Sequence, residues 1–198
     1  AFDPRGGWLA AAGKDGPVRI WSLAAAPAQL ATLDGPTNNT RVIAVAGDHL
    51  AAGGDDGDVR LWTRLDPASR IAVTRHAGGV TALAFDPTGR WLVSTGRDHH
   101  ISRSPLGGAP SSITVPDAVA SLAIAPDGTV LAATQQHELV RWPAGAAAPI
   151  ITDDGVLGVV YVPGPSPHWA AALADGAVAL WRVDAPSIAS LRASLARR

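Results

Sequence analysis

The sequence predicts an all-β chain of repeated four-stranded antiparallel sheets, closed at its C-terminal end by a short helix. Three observations carry that prediction. The stretch Asp15-Gly16-Pro17-Val18-Arg19-Ile20-Trp21 returns as Asp56-Gly57-Asp58-Val59-Arg60-Leu61-Trp62 and as Asp175-Gly176-Ala177-Val178-Ala179-Leu180-Trp181. Two weaker copies are Asp98-His99-His100-Ile101-Ser102-Arg103-Ser104 and Gln136-His137-Glu138-Leu139-Val140-Arg141-Trp142. The copies end at 21, 62, 104, 142 and 181, steps of 41, 42, 38 and 39, and a period near 40 is the mark of a repeat architecture. Each copy opens on a dipeptide that suits a tight hairpin and continues as a β-branched, polar, aliphatic, aromatic alternation, which reads as a strand with both faces covered. A lone unit cannot cover its own faces, so it requires neighbours of its kind.

The elements follow in order. Phe2-Asp3-Pro4-Arg5-Gly6 matches Phe85-Asp86-Pro87-Thr88-Gly89: Asp opens the turn, Pro presets φ and Gly closes it. The first unit (1–34) keeps only the end of its first strand, then runs through 8–11, the Asp15-Gly16 hairpin, the strand ending at Trp21 and an outer strand at 29–33. The second (41–74) has strands at 42–45, 50–52, 59–62 and 70–73; the third (79–115) at 80–85, 91–94, 101–103 and 112–115. The fourth (118–152) repeats the scheme at 119–125, 130–133, 139–142 and 149–152, and the fifth (156–183) has three strands and no outer one. In the terminal segment, 184–198, the period turns helical, with Ile188, Leu191 and Leu195 at i, i+3 and i+7. Asp184 caps, Pro186 suits the first turn and the final arginines oppose the dipole, so an amphipathic helix is expected over about 186–197.

Composition narrows the function classes. The 198 residues are 47% apolar and 17% charged with a net charge of −1, enough for a substantial core. Fifteen of the sixteen basic residues are Arg, spread without a stripe, which argues against a nucleic-acid or membrane-surface footprint. No Cys is present to build a disulfide framework. No apolar run approaches the roughly 20 residues that span a bilayer, and no signal peptide opens the chain, so no membrane insertion and a cytoplasmic location are expected. The lack of Met, with an opening inside a repeat, reads as an excerpt of a longer chain.

Four short antiparallel strands per 40 residues, with third strands ending in Trp, resemble the WD-repeat β-propeller family in a degenerate, bacterial-type form. That family's pattern runs from a His through an aromatic-x-Pro-x-Gly turn, Leu-Ala and a turn Asp to Val-x-Leu-Trp. Phe85 to Gly89, Leu92, Asp98 and Ile101 satisfy it, as do Leu9, Asp15, Val18, Ile20 and Trp21, and Asp56, Val59, Leu61 and Trp62. The Asp that usually follows the last Trp is replaced by Ser22, Thr63, Pro143 and Arg182. The resemblance implies a propeller of about five WD-type blades, an arc of a larger seven-bladed-type ring, with a five-bladed ring as the alternative. It also implies a buried hydrogen-bonded set of His, Ser, turn Asp and Trp in each blade. Only the third unit offers His76, Ser94 and Asp98 together, and there Ser104 stands where Trp should be, so apolar packing is expected to hold the blades.

Chemistry-bearing patterns are few. Gly7 to Gly13-Lys14-Asp15 has five residues between its glycines where a phosphate loop has four, and Asp15 replaces the Mg²⁺-binding hydroxyl. Asp98-His99-His100 sends neighbouring side chains to opposite faces, His137-Glu138 lacks a second His, and Asp55-Asp56-Gly57-Asp58 lacks the bidentate Glu of a calcium loop. No metal, cofactor or catalytic residue is therefore expected. His76, Ser94 and Asp98 have the residue types of a triad, but the resemblance makes them structural. The repeat residues Asp15, Trp21, Asp56, Trp62, Trp142, Asp175 and Trp181 are read as turn and core positions, with Trp8, Trp91 and Trp169 in second strands.

The resemblance implies a non-catalytic scaffold that presents loops to a protein partner or to another domain of its own chain. In similar proteins the partner meets the residue before the turn Asp and the start of the first strand. Those positions here are Lys14, Asp55, Arg97 and Gln135, with Thr81 in a first strand, and their mixed charges point to no single ligand. Two rivals stand beside this reading. One is a regulatory sensor in a larger bacterial signalling protein, a kinase or signalling ATPase, with which the Ala- and Arg-rich composition is compatible. The other is an enzyme or small-ligand binder using a central channel, which requires His or carboxylates at equivalent positions of several blades.

Overall fold

Alternating apolar residues, bounded by Asp- and Gly-containing turns, form eighteen β-strands among the described residues. The computed structural model describes residues 1–182 apart from Asp15, Arg64, Ala148, Asp153 and Asp154. The helix expected at 186–197 and the turn role of Asp15 therefore lie outside the described residues.

Two compact units are formed, Ala1–Pro116 and Asp117–Arg198. The first holds three antiparallel sheets: β1 (Trp8–Ala11), β2 (Val18–Ser22) and β3 (Gln29–Leu33); β4 (Thr40–Ala46), β5 (His49–Gly54), β6 (Asp58–Thr63) and β7 (Ile71–Arg75); and β8 (Val80–Phe85), β9 (Trp91–Gly96), β10 (His100–Pro105) and β11 (Ser111–Thr114). The second holds β12 (Val119–Ile124), β13 (Val130–Thr134), β14 (Leu139–Trp142) and β15 (Ile150–Thr152), then β16 (Val156–Val162), β17 (His168–Leu173) and β18 (Val178–Arg182). Within each sheet every strand pairs with its neighbour in sequence, so the connections inside a sheet are hairpins. In the first sheet only a bridge from Phe2 to Leu9 represents the missing first strand.

Turn chemistry accounts for the connections. Asp86, 1% exposed, gathers the backbone N–H groups of Thr88, Arg90 and Trp91 and the Thr88 hydroxyl onto its carboxylate. Asp3 does the same for Arg5 and Gly7. At the second turn position of the five repeat copies φ is positive: Gly16 (91°), Gly57 (84°), His99 (58°), His137 (66°) and Gly176 (86°). Glycine adopts that conformation freely, and His is among the few other residues that do.

Sheets stack through alternate residues. Ala10, Val18, Ile20 and Leu33 of the first sheet pack on Leu50, Ala52 and Trp62 of the second. The opposite face of the second sheet, Ala51, Val59 and Leu61, packs on Val80, Leu83 and Leu92 of the third. In the second unit Ala123, Leu131, Ala133 and Leu139 meet Val156, Trp169, Ala171 and Trp181. Burying such side chains is the dominant favourable term, about 1.5–3 kcal/mol for each large one. Trp62, Trp142, Trp169 and Trp181 are at most 4% exposed, but Trp21 is 37% exposed, which corrects its reading as core. The reason is geometric: Trp62 and Trp181 point at the preceding sheet, and no sheet precedes Trp21 among the described residues.

One irregularity recurs. The first strand of each sheet that has one slips register beside its second residue, at Thr40/Val42, Val80/Ala82, Val119/Ser121 and Val156/Gly158. These bulges leave Arg41, Thr81, Ala120 and Leu157 outside the ladder, all exposed, and a bulge is a device for re-aiming a side chain.

Candidate functional site

In the first unit the bulges and the hairpins between second and third strands lie at the same end of their sheets. Gly13 O accepts from Thr40 N–H and Gly16 O from the Thr40 hydroxyl, which joins the Lys14 turn to the start of β4. Asn39 O accepts from Asp55 N–H, and Gly79 stacks on the backbone of Gly54 and Asp55. Gly79 O in turn accepts from Arg97 N–H. Lys14, Asn39, Arg41, Asp55, Thr81 and Arg97 thus form one continuous rim across three sheets. Gly79 has φ 106°, a conformation that favours glycine, and stands close against Asp55, where a side chain would crowd the Gly54–Asp55 backbone.

The rim's charges are sorted by these contacts. Arg41 Nε and Nη2 donate to the two oxygens of Asp55 at 2.8 and 3.1 Å, a fork, and Asn39 Nδ2 donates at 2.6 Å. The Arg41 and Asn39 hydrogen bonds, with the nearby charge of Arg97, hold the Asp55 carboxyl below its ordinary range. Asp55 in turn raises Arg41. Asp56 pairs with Arg60 at 2.8 Å and accepts from Thr37 N–H at 2.8 Å. Burial pushes the Asp56 carboxyl up, and the bonds from Arg60, Thr37 and Asp58 more than offset it, leaving it lowered. Asp58 binds Arg75 at 2.6 Å. The three carboxylates that give Asp55 to Asp58 the look of a calcium loop are each turned to an arginine. The Arg97 guanidinium makes a 3.4 Å bond to Gly78 O, and neither it nor Lys14 forms an ion pair among the described residues. The Thr81 hydroxyl shares a 2.9 Å bond with Thr95.

Beneath the rim the structure brings His76, Ser94 and Asp98 together. His76 Nε2 stands 2.8 Å from Ser94 Oγ and Nδ1 3.1 Å from Asp98 Oδ1, while Ala77 N–H donates to Asp98 Oδ2. In the neutral imidazole Nδ1–H donates to Asp98 and Ser94 O–H to Nε2. The order mimics a nucleophilic triad, but Ser94 and His76 are each 2% exposed, so no substrate reaches Ser94 Oγ in this geometry. The bonds instead tie the linker before β8 to β9 and to the following turn. Ser104, at the missing Trp position, is buried with its hydroxyl unpartnered, and Leu106 packs against the neighbouring core. Trp62 and Trp169 likewise leave their indole N–H unbonded, whereas Trp142 donates to Ala146 O at 2.8 Å.

The remaining expected residues lie elsewhere. Gln135 is exposed in the β13–β14 turn of the second unit, where its N–H donates to Ala118 O. Asp175 is exposed and accepts from Ala177 N–H, the ordinary role of a turn Asp. A cleft of about 560 Å³ in the second unit is lined by Asp127, Thr129, Arg141, Pro143, Pro165 and Arg182. There Asp127 is occupied by the N–H and hydroxyl of Thr129. No group of three His, Cys, Asp or Glu among the described residues could hold a metal ion. Nor is any described helix long and apolar enough to cross a membrane. Sequence reasoning missed Arg41 and Asn39: Arg41 occupies the same bulge position as Thr81, but loops of unequal length hide the correspondence until the strands are paired.

Comparison with known proteins fits this geometry. A family model described as WD domain, G-beta repeat matches residues 27–63 and 69–102. The first match spans β3 and then β4 to β6, so the sequence repeat starts in the outer strand of one sheet and continues into the next. No curated protein matches the sequence. Among solved structures, one chain of a "Crystal Structure of Mitotic Checkpoint Complex" is similar over 96% of this chain, with a TM-score of 0.78 and 19% identity. This chain spans 60% of that chain's length, and at such identity the likeness speaks for fold alone. Residues 27–63 and 69–102 thus match the WD repeat, and the chain shares the β-propeller fold of the similar structure.

Proposed function

We propose that the chain is a non-catalytic interaction scaffold. Its first unit engages a protein partner, or another domain of its own chain, through the rim of Lys14, Arg41, Asp55, Thr81 and Arg97. Gln135 supplies the corresponding turn position in the second unit. The observation that carries this reading is the recurring bulge, which turns Arg41 and Thr81 outward beside the turns of Asp55 and Arg97. Strand pairing is sacrificed there in blade after blade, and exposed side chains on a rigid scaffold are where recognition concentrates. A photo-crosslinking residue placed at Thr81 or Arg97 should capture one predominant protein in cells. The same residue at Arg5 or Arg70, in turns at the opposite end of the sheets, should not. Equal capture from both ends would remove the rim from the proposal.

A further inference from the structure

The sequence offers the rim as a mixture of charges, and the contacts resolve that mixture. Asp55, the one acidic residue among the expected contact positions, gives both oxygens to Arg41 and a further bond to Asn39, so its charge is met inside the protein. The neighbouring turn carboxylates are also spent, Asp56 on Arg60 and Thr37, Asp98 on His76, Ala77 and His100. Asp34, which follows the outer strand β3, is exposed, and the next residue, Gly35, stands against Gly16 and Thr40. Among the described residues, the rim charges left without an ionic partner between the bulges are cations, Lys14 on one turn and Arg97 on another, while the half-exposed guanidinium of Arg41 is matched to Asp55. Arg97 is anchored by its N–H on Gly79 O, and its guanidinium makes a 3.4 Å bond to Gly78 O and no ion pair with Asp55. At the same bulge and turn positions the second unit carries Ala120, Leu157, Gln135 and Ala174, none of them charged.

Resting on the interaction reading above, we infer that the segment taken by the first unit's rim is acidic, a stretch of a partner protein whose Asp or Glu side chains lie across Lys14 and Arg97. Charge complementarity of this kind sets orientation and encounter rate, and it weakens as salt rises. A peptide is favoured over nucleic acid because two unpaired cations in a chain of net charge −1 make no continuous track for a phosphate backbone.

Fluorescence anisotropy with the intact chain tests this. Labelled hexaglutamate, hexalysine and a serine–glycine hexapeptide, together with a single-stranded oligonucleotide, are compared at about 20 and 150 mM salt, which roughly halves the screening length. Hexaglutamate should bind in preference to the other three, and less tightly at the higher salt. Lys14→Glu with Arg97→Glu should weaken it about tenfold or more, the scale of two exposed charge contacts reversed. Arg5→Glu with Arg70→Glu, the same change in net charge at the opposite end, should leave it within about twofold. Equal binding of the peptides, equal effects of the two double variants, or preference for the oligonucleotide would overturn the inference. Wild-type salt dependence reads the same property should a variant fold poorly. If crosslinking at Thr81 captures a partner whose attached segment carries no acidic cluster, this inference falls while the interaction reading stands. If crosslinking at the rim captures nothing, the interaction reading falls first.

Discussion

At the scale of single residues, the His76 network is where polar chemistry, and not packing, decides stability. A buried imidazole with a partner on each nitrogen loses little on burial, but removing one partner leaves the other desolvated and unpaired, a cost of about 1–3 kcal/mol. Ser94→Ala and His76→Ala should each lower stability by roughly that amount in urea unfolding, with the larger loss for His76→Ala because a cavity is added. Asp98 supplies a pH signature. Burial pushes its carboxyl up, yet the bonds from His76, His100 and Ala77 outweigh this and leave it below the ordinary value of 3.8. A depressed folded value means the ionised form contributes stability that is fully present above 3.8 and is lost as pH falls through the folded value. Asp98→Asn should therefore be less stable than the parent at neutral pH, and the gap should close below 3.8. A constant gap down to the acid limit would show that the charge is not involved. His76, Ser94 and Asp98 were legible from residue types at known offsets. The Arg41–Asp55 fork was not, because its partners come from the register of β4 against β5 and not from any local motif.

At the scale of elements, the repeat copy is a turn with a specification that sequence shows only in part. Asp-Gly announces the hairpin, and the positive φ of Gly57 follows. What the dipeptide does not announce is that Gly57 also lies against the backbone carbonyl of His76, from the linker into the next sheet, while its own carbonyl accepts from His76 N–H. His99 and His137 hold the same turn position with side chains attached, so a left-handed backbone alone does not demand glycine there. At Gly57 the close approach does. Gly47, in the turn before β5, also has positive φ but open space around it. Gly47→Ala should cost about 1 kcal/mol from conformation alone, whereas Gly57→Ala should cost well over 2 kcal/mol because the linker must move. Paired thermal melts decide this, and equal losses would mean the linker yields easily. Strand positions were legible for the same reason the turns were, since period-2 alternation reports burial directly. The bulges were not: an unpaired residue is defined by the strand opposite, and nothing in 41 or 81 marks it.

At the scale of the whole molecule, identical repeat positions meet different neighbours, and the sequence pattern cannot distinguish them. Val59 and Leu61 are 0% and 3% exposed because the β8–β11 sheet lies on them. Val178 and Leu180 stand at the same positions of the same motif, yet are 63% and 53% exposed. With Val160 at 53% they form an uncovered apolar face on the β16–β18 sheet, whose other face is packed through Val159, Ala171 and Ala179. The repeat is read as a strand covered on both sides, and in this sheet no described residue covers one side. Energetically the difference is large. Leu61→Ala deletes a side chain from a filled core and should cost about 2–5 kcal/mol. Leu180→Ala removes a half-exposed one and should cost about 1 kcal/mol or less. The chain's span of 60% of a structurally similar chain makes this comparison informative. The same two substitutions, measured in the 198-residue chain and in any longer chain containing it, report whether another element covers that face. A Leu180→Ala loss that rises to the Leu61→Ala level only in the longer chain would show that the open sheet is completed from outside. A loss that large in the 198-residue chain alone would mean that the face is already covered.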